Sequence, residues 1–211
     1  MLQKVISKQT ENSLEILKES DILKNFYLAG GTGLALQIKH RLSLDLDFFS
    51  KEKLNPEILI QKLKSSGQFS IQKKDENTLV GVFNKTNISF FTYDYPVLFP
   101  FKKIKGIFVA DIRDIGCMKI SAISSRGAKK DFIDVYFICQ VVSLKRLLDL
   151  FKKKYKSVDY NMLHILKSLV YFDDAQKEPM PKMIKQVSWQ TVREFFIREV
   201  RELLKGSALK M

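Results

Sequence analysis

Two glycines at the end of a short apolar run set the strongest limit on the fold of this chain. The run covers residues 26–29 and is followed by Gly30 and Gly31, with Thr32 directly after them. Glycine allows a tight turn and a close approach of the backbone to a ligand, and the first N–H groups of a following helix attract an anion. We therefore predict strand, turn and short helix here, with these three residues forming a cradle for a phosphate group.

A strand with two acidic residues on one face is predicted next. Residues 42–49, LSLDLDFF, alternate, so the leucines face the core while Ser43, Asp45 and Asp47 share the other face. The two aspartates then lie roughly 6.6 Å apart, close enough to bind one Mg²⁺, which relieves their repulsion and also binds triphosphate oxygens. Alone, a glycine pair is usually a simple turn and Asp-x-Asp a solvated strand edge. Their combination at this spacing predicts a nucleotide site.

A second group of charged residues lies in the stretch KISAISSRGAKKDFIDVYFI. Helical spacing places Lys119 and Arg126 on one face of a helix. The next helix opens with Lys130 and Asp131, and Asp134 follows one turn later. The pattern brings cations beside carboxylates. A structural explanation is an ion pair between Lys130 and Asp134, together with an aspartate favoured at a helix start by the helix dipole.

The remaining patterns divide the chain into an α+β domain with a mixed sheet, residues 1–116, and a helical bundle, residues 117–211. In the first domain, Asn55, Pro56 and Gly67 mark the start and end of one helix. The other predicted elements there are helices 13–24 and 34–39 and strands 69–73, 78–83 and 88–93. The second domain is predicted to contain helices 114–126, 130–141, 144–155, 160–172 and 189–205, with a loop at 173–187.

The net charge of +13 is uneven, at +4 for residues 1–116 and +9 for residues 117–211. Such a field attracts RNA, DNA or nucleotides, although surfaces of simply solvated lysines explain the same composition. The chain has no apolar run of membrane-spanning length and no signal-peptide pattern, so a cytoplasmic protein without a membrane partner is expected. Cys117 and Cys139 lie in apolar helical segments, which predicts core residues rather than a disulfide or a zinc site.

Three weaker features have a functional and a structural explanation. The aromatic run from Phe90 to Phe101 would stack nucleic-acid bases, or it belongs to the core and to turns around its prolines. The lysines near the end of the predicted helix 144–155 would meet phosphates, or they are solvated and favoured by the helix dipole. His40 is expected at the surface and His164 in the bundle, so histidine-based metal hydrolysis is not indicated.

The glycine turn and its aspartate pair resemble the nucleotidyltransferase toxins of the AbiEii/AbiGii type, which have the DNA polymerase β-like fold. The family pattern is a glycine pair followed by Ser or Thr, a short helix, and then Arg, Ser and Asp-x-Asp before aromatic residues. The matching residues are Gly30, Gly31, Thr32, Arg41, Ser43, Asp45, Asp47, Phe48 and Phe49. The charged stretch resembles the later family motif in Lys119, Arg126, Lys130, Asp131 and Asp134.

The resemblance implies an enzyme that moves a nucleoside monophosphate from an NTP to an acceptor hydroxyl. The implied catalytic residues are Asp45, Asp47, Lys119 and Asp131, of which Asp45 and Asp47 hold Mg²⁺ and Asp131 assists the metal or activates the hydroxyl. The implied nucleotide-binding residues are Gly30, Gly31, Thr32, Arg41, Ser43, Arg126 and Lys130. RNA, such as the 3′ end of tRNA, is the implied acceptor, and a cognate antitoxin is the implied protein partner.

One departure from the pattern concerns the third carboxylate that polymerase β-like sites usually add from a neighbouring strand. The predicted strand 88–93, ISFFTY, contains no acidic residue, which leaves Asp94 just beyond it and Asp131 as candidates. Two alternatives therefore stay open. One is a protein of this fold that binds nucleotide or nucleic acid without turnover, and the other is an enzyme that attaches the nucleotide to a protein side chain.

Overall fold

The computed structural model describes residues 5–208, which form two compact units, one ending at Asp111 and the other beginning at Ile112. The predicted boundary after residue 116 falls inside a helix that starts at Ile112. Within the described residues, the first unit contains a mixed sheet with helices, as the sequence predicted, and the second is built from helices.

The first unit is organised around a seven-stranded sheet. Its elements in chain order are α1 (Lys8–Glu19), β1 (Tyr27–Leu28), α2 (Gly30–Ile38), β2 (Leu46–Ser50), α3 (Pro56–Ser66), β3 (Phe69–Asp75), β4 (Thr78–Phe83), β5 (Thr86–Thr92), β6 (Lys102–Ile104) and β7 (Ile107–Val109). The strand order is β3-β4-β5-β2-β1-β7-β6. β2 is parallel to β5 and β1 is parallel to β7, whereas the other neighbouring pairs are antiparallel.

One face of this sheet packs against α1 and α3. Leu17 of α1, Leu63 of α3 and Phe48 of β2 belong to the same buried cluster. Successive side chains of a strand point to opposite faces, so Asp47, the neighbour of Phe48, lies on the other face of the sheet. The apolar core therefore positions β2 so that its acidic residue faces away from α1 and α3.

The strand that carries Asp47 is shorter than predicted. It begins at Leu46, so Asp45 lies just before it. Leu44, which alternation placed in the core, is 56% exposed, and His40, expected at the surface, is buried. The reason is that hydrogen bonds to residues distant in sequence hold this segment, among them one from the Ser43 amide to the backbone oxygen of Val5. Period-two alternation does not apply to such a segment.

Local signals were accurate where a helix end depends on its own residues. Helix α3 begins at Pro56, its N-cap Asn55 accepts a hydrogen bond from the Ile58 amide, and Gly67 follows its last residue, as predicted. By contrast, α1 begins at Lys8 rather than at residue 13. The β6–β7 hairpin was not predicted, because strands of three residues are too short to show the alternation that identifies a strand in sequence.

In its described part, the second unit consists of α4 (Ile112–Arg126), α5 (Lys129–Ile138), α6 (Leu144–Lys154), α7 (Met162–Ser168), α8 (Asp173–Lys177) and α9 (Trp189–Ala208). Phe132 lies at the centre of its aromatic core, with ring centroids 5.3 Å from Phe172 and 5.3 Å from Phe196. The predicted loop 173–187 was wrong at its start, since α8 forms there around the buried Ala175.

Cys117 is buried, as predicted, and Cys139 is half-buried; both are free thiols. Burial raises the pKa of Cys117 to about 12 and also raises that of Cys139. Among the helices of residues 5–208, none combines the length and apolar character that crossing a membrane requires.

Candidate active site

Helix α2 begins at the predicted glycine turn and lacks a side-chain cap. Its N-cap residue is Ala29, and the Gly33 amide donates to the Ala29 backbone oxygen over 2.9 Å. The N–H groups of residues 30–32 therefore have no acceptor within the helix, and the helix dipole gives this end a partial positive charge. The start of α2 is thus suited to bind an anion.

The carboxylate of Asp47 lies directly against Gly30. A β-carbon at position 30 would overlap with Oδ2 of Asp47, and Gly30 has φ of +59°. The backbone reinforces this approach, because the Ala29 amide donates to the Asp47 backbone oxygen over 3.0 Å. Only glycine combines this backbone conformation with room for the carboxylate, so the turn brings an acidic side chain to an anion-binding helix end.

Arg41 and Ser43 lie against the second glycine. A β-carbon at Gly31 would overlap with Nη2 of Arg41 and would stand 3.0 Å from Oγ of Ser43. Both side chains are buried, and Nη1 of Arg41 donates to the Leu42 backbone oxygen over 3.0 Å. A guanidinium beside a helix N-terminus adds a full positive charge to the partial charge of the dipole. An anion at the start of α2 gains from both.

Two residues bind Asp45, one through its backbone and the other through its side chain. The Thr32 hydroxyl donates to the Asp45 backbone oxygen, and Nδ2 of Asn87 donates to Oδ1 of Asp45 over 3.0 Å. Thr32 is fully buried, so its hydroxyl proton is engaged within the protein, whereas the sequence predicted a donor to phosphate. Thr32 instead ties the glycine turn to the aspartate segment.

Asn87 was missed because the predicted strand began only at residue 88. β5 begins at Thr86, which puts Asn87 within the strand and on the same face as Ser89. Extending the alternation of β5 backwards from Ser89 would have identified it as a polar residue facing the aspartates.

A serine, not a carboxylate, stands beside Asp47 on the neighbouring strand. Ser89 of β5 pairs with Asp47, while Asp94 is exposed beyond the last residue of β5, Thr92. At the rise of an extended strand, Asp94 is about 16 Å from Ser89 along the chain, so it does not replace a carboxylate there. Within residues 5–208, no group of three or more His, Cys, Asp or Glu side chains is arranged to hold a metal.

The first unit therefore offers two carboxylates two positions apart in the chain: that of Asp47 lies at the start of α2, and that of Asp45 is held by Asn87 of β5. Mg²⁺ prefers oxygen ligands and is commonly held by one or two carboxylates together with substrate phosphates. The pair fits a cation whose coordination is completed by a nucleotide.

The charged residues predicted in the second unit form a buried cluster between α4 and α5. Nζ of Lys119 lies 2.7 Å from Oδ1 of Asp131 and 2.7 Å from Oδ2 of Asp134. Nε of Arg126 lies 2.8 Å from Oδ2 of Asp131. Both aspartates are fully buried, whereas Lys130 is exposed.

Asp131 remains ionised within this cluster. Burial raises the pKa of its carboxyl, but Lys119 and Arg126 outweigh burial and hold the pKa below its usual value. A carboxylate with a low pKa and with both oxygens bound to cations is a poor proton acceptor. The arrangement favours a structural role for Asp131 over the predicted activation of a hydroxyl group.

Comparison with known proteins gives a family and a fold. The family described as "Nucleotidyl transferase AbiEii toxin, Type IV TA system" matches residues 14–105. An uncharacterized protein of Aquifex aeolicus is 40% identical over 210 residues, which cover 95% of this chain and 98% of that protein.

Two crystal structures of Helicobacter pylori proteins have a similar fold. JHP933 gives a TM-score of 0.54 at 16% identity over 98% of this chain and 100% of that chain. A second protein, described as a candidate nucleotidyltransferase, gives a TM-score of 0.53 at 17% identity over 94% of this chain and 98% of that chain. At these identities the likeness concerns the fold alone.

Proposed function

Because the chain belongs to the AbiEii nucleotidyltransferase family, we propose that it transfers a nucleoside monophosphate from an NTP to a hydroxyl group of RNA in the cytoplasm. The observation that carries this proposal is the contact between the Asp47 carboxylate and Gly30 at the start of α2. The contact joins an oxygen ligand for Mg²⁺ to a helix end that attracts anions. A nucleoside triphosphate with its cation is a ligand that needs both.

The triphosphate would bind at the first turn of α2. The N–H groups of residues 30–32 supply donors there, and the Arg41 guanidinium beside Gly31 supplies positive charge. Arg41 is buried, so water screens its charge less, and its attraction for a phosphate is stronger than at the surface. Ser43, next to Arg41, would add a hydroxyl donor.

Asp45 and Asp47 would hold Mg²⁺, which when bound supplies positive charge to the phosphates and to the leaving pyrophosphate. The protein prepares these two side chains in different ways. Asp47 is placed by the pairing of β2 with β1 and β5, whereas Asp45 depends on Thr32 for its backbone and on Asn87 for its carboxylate. Ligands fixed in this way lose little freedom when substrate binds.

In the proposed reaction, the acceptor hydroxyl oxygen forms a bond to the α-phosphorus of the NTP. The bond between that phosphorus and the bridging oxygen breaks, pyrophosphate leaves, and the hydroxyl proton passes to water. The residues of the chain contribute by positioning the triphosphate and stabilising its charge, which is the main task in phosphoryl and nucleotidyl transfer. No covalent intermediate with the protein is required.

RNA, and specifically the 3′ end of tRNA, is the acceptor that we favour. The net charge of +13 supports a polyanionic acceptor over a protein side chain. A cognate antitoxin that restrains the activity is proposed as the protein partner, in keeping with the description of the family as the toxin of a type IV system.

The test is incubation of the purified protein with Mg²⁺, bulk tRNA and each labelled NTP in turn. Label should enter tRNA with at least one NTP, and Asp45→Ala and Asp47→Ala should abolish incorporation. Asp94→Ala is the matched control and should retain it, because Asp94 is exposed beyond the end of β5. Incorporation by both active-site variants at the wild-type rate would overturn the assignment of the metal site.

Ser89 beside Asp47 motivates a second candidate function, binding without turnover. Calorimetric titration with each NTP, with and without Mg²⁺, separates the two. Binding that does not depend on the metal, with no label transferred to any RNA, would favour the binding protein. A nucleotide adduct on a protein, detected by mass spectrometry, would instead identify a protein acceptor.

A further inference from the structure

The hairpin β6–β7 forms one edge of the sheet, and its two faces differ in character. On one face, Ile107 and Val109 are buried in the core. On the other, Lys103 and Phe108 are paired directly opposite one another and both are exposed. Phe101, just before β6, adds a second ring whose centroid lies 6.0 Å from that of Phe108. We call Phe101, Lys103 and Phe108 the edge platform.

The edge platform lies on the same face of the sheet as Asp47. Phe49 follows Asp47 by two positions, so the two side chains share a face. The Phe49 ring lies 5.9 Å from that of Tyr27, and the Tyr27 ring lies 4.7 Å from that of Phe101. A continuous row of aromatic rings therefore runs from the residue beside the aspartate to the exposed edge of the sheet.

Both rings of the platform are open to solvent, since Phe108 is 49% and Phe101 is 39% exposed. Single exposed apolar residues are common on protein surfaces, but these two rings are adjacent and form a patch, and apolar patches are typical of binding surfaces. The hairpin sequence FKKIKGIFV adds three lysines and no acidic residue. Lys102 contacts Asp111 and Lys105 contacts Glu11, whereas Lys103 stands opposite Phe108.

We propose that the edge platform binds a single-stranded segment of the RNA acceptor, an inference that rests on the proposed function. Phe101 and Phe108 would stack on successive bases, and Lys103 would contact the phosphate between them. Aromatic rings interleaved with basic residues bind single strands with little sequence preference, because every base has a stacking face. The platform lies on the face of the sheet that carries Asp47, where the terminal hydroxyl of that strand is needed. Tyr27, which is buried, would support the ring of Phe101 rather than stack on a base.

The test measures binding separately from turnover. A fluorescent single-stranded oligoadenylate and a duplex RNA of the same length are titrated with the protein, and anisotropy reports binding. The double variant Phe101→Leu with Phe108→Leu keeps apolar side chains but removes the stacking faces. It should weaken single-strand binding roughly tenfold or more while leaving duplex binding unchanged. Lys103→Gln should reduce the slope of the logarithm of the binding constant against the logarithm of the salt concentration by about one, as expected for the loss of one phosphate contact.

Tyr171→Leu is the matched control, because Tyr171 is an exposed aromatic residue of the second unit. It should bind oligoadenylate like the wild type, and calorimetry should show unchanged NTP binding by the double variant. Unchanged oligoadenylate binding by the double variant would overturn the proposal, as would an equal loss in Tyr171→Leu. If the wild type binds oligoadenylate through the platform but transfers no nucleotide, the proposed reaction is contradicted and the proposed RNA-binding surface is still supported.

Discussion

Nδ2 of Asn87 donates a hydrogen bond of 3.0 Å to Oδ1 of Asp45. Asp45 lies just before β2, so no pairing of its own strand orients its side chain. The bond comes from β5, which is paired in parallel with β2 and is therefore fixed relative to Asp47. One amide group thus aligns the less constrained of the two carboxylates with the other.

Replacing Asn87 should impair the reaction more than the fold. Mutation of a residue that orients a metal ligand typically lowers metal affinity or activity about 10- to 100-fold. Asn87→Ala should therefore raise the Mg²⁺ concentration needed for half-maximal transfer by about tenfold or more. Asn87 is exposed, so the melting temperature should change little. Titration of the transfer rate with Mg²⁺ gives the result, with Asn77→Ala, an exposed turn residue, as the control. Identical Mg²⁺ dependence in both variants would contradict the orienting role.

Gly30→Ala should abolish nucleotide transfer by displacing the Asp47 carboxylate. The added β-carbon would overlap with Oδ2 of Asp47, and the positive φ alone costs about 1–2 kcal/mol for a residue with a side chain. Gly127→Ala separates the cost of the positive φ from the cost of the overlap. Gly127 has φ of +57°, but a β-carbon added there would lie 3.8 Å from its nearest neighbouring atom. The control should lose similar stability and keep its activity. Equal activity of the two variants in the tRNA labelling assay would show that the overlap is unimportant.

Asp131→Asn should destabilise the second unit by about 3–5 kcal/mol at pH 7, because it leaves the buried Lys119 with one carboxylate fewer. The pKa of Asp131 is lowered in the folded state, so its stabilising effect is complete above the unfolded value, near 3.8, and is lost as the pH falls through the folded value. The wild type should therefore lose this stability below about pH 4.

Urea unfolding at pH 7 and near pH 3.5, followed by the fluorescence of Trp189 in α9, measures both effects. The variant should show a smaller loss between the two pH values than the wild type. Asp149→Asn, an exposed change on α6, serves as the control and should behave like the wild type. A variant with wild-type stability at pH 7 would contradict the structural role of the cluster.

The two thiols should be unreactive in the folded protein. Burial raises the pKa of Cys117 to about 12 and raises that of Cys139, so the thiolate that reacts with alkylating reagents is scarce at pH 8. Iodoacetamide at pH 8 should label neither cysteine in buffer and both in guanidinium chloride, as counted by mass spectrometry. Rapid labelling of Cys117 in buffer would be inconsistent with its burial.

Features that depend on neighbouring residues could be predicted from the sequence. The glycine pair marked the start of α2, since a positive φ at Gly30 favours glycine. The cap of α3 followed from Asn55 and Pro56, and the core position of Phe48 followed from alternation within β2. Each of these depends on a local pattern of backbone conformation or side-chain spacing.

Features that depend on residues distant in the chain could not be predicted from the sequence. Leu44 and Asp45 lie in a segment whose backbone bonds to Val5 and Thr32, and no periodicity of the sequence encodes such bonds. The bond from Asn87 to Asp45 and the β6–β7 hairpin likewise arise from strand pairing across the unit. In the second unit the sequence predicted cations beside carboxylates but offered Lys130 as the partner of Asp134. Lys119 instead contacts both Asp131 and Asp134, which depends on how α4 packs against α5.

The pairing of Leu28 with Val109 joins residues near opposite ends of the first unit. β1 leads directly into the glycine turn. The turn therefore has neighbouring strands on both sides only after Val109 has been synthesised and β7 has paired with β1. On the ribosome, nearly the whole unit must therefore emerge before the turn is supported on both sides, and such distant pairings form slowly. A nascent chain that ends before Val109 would therefore lack the strand that completes the support of the anion-binding turn.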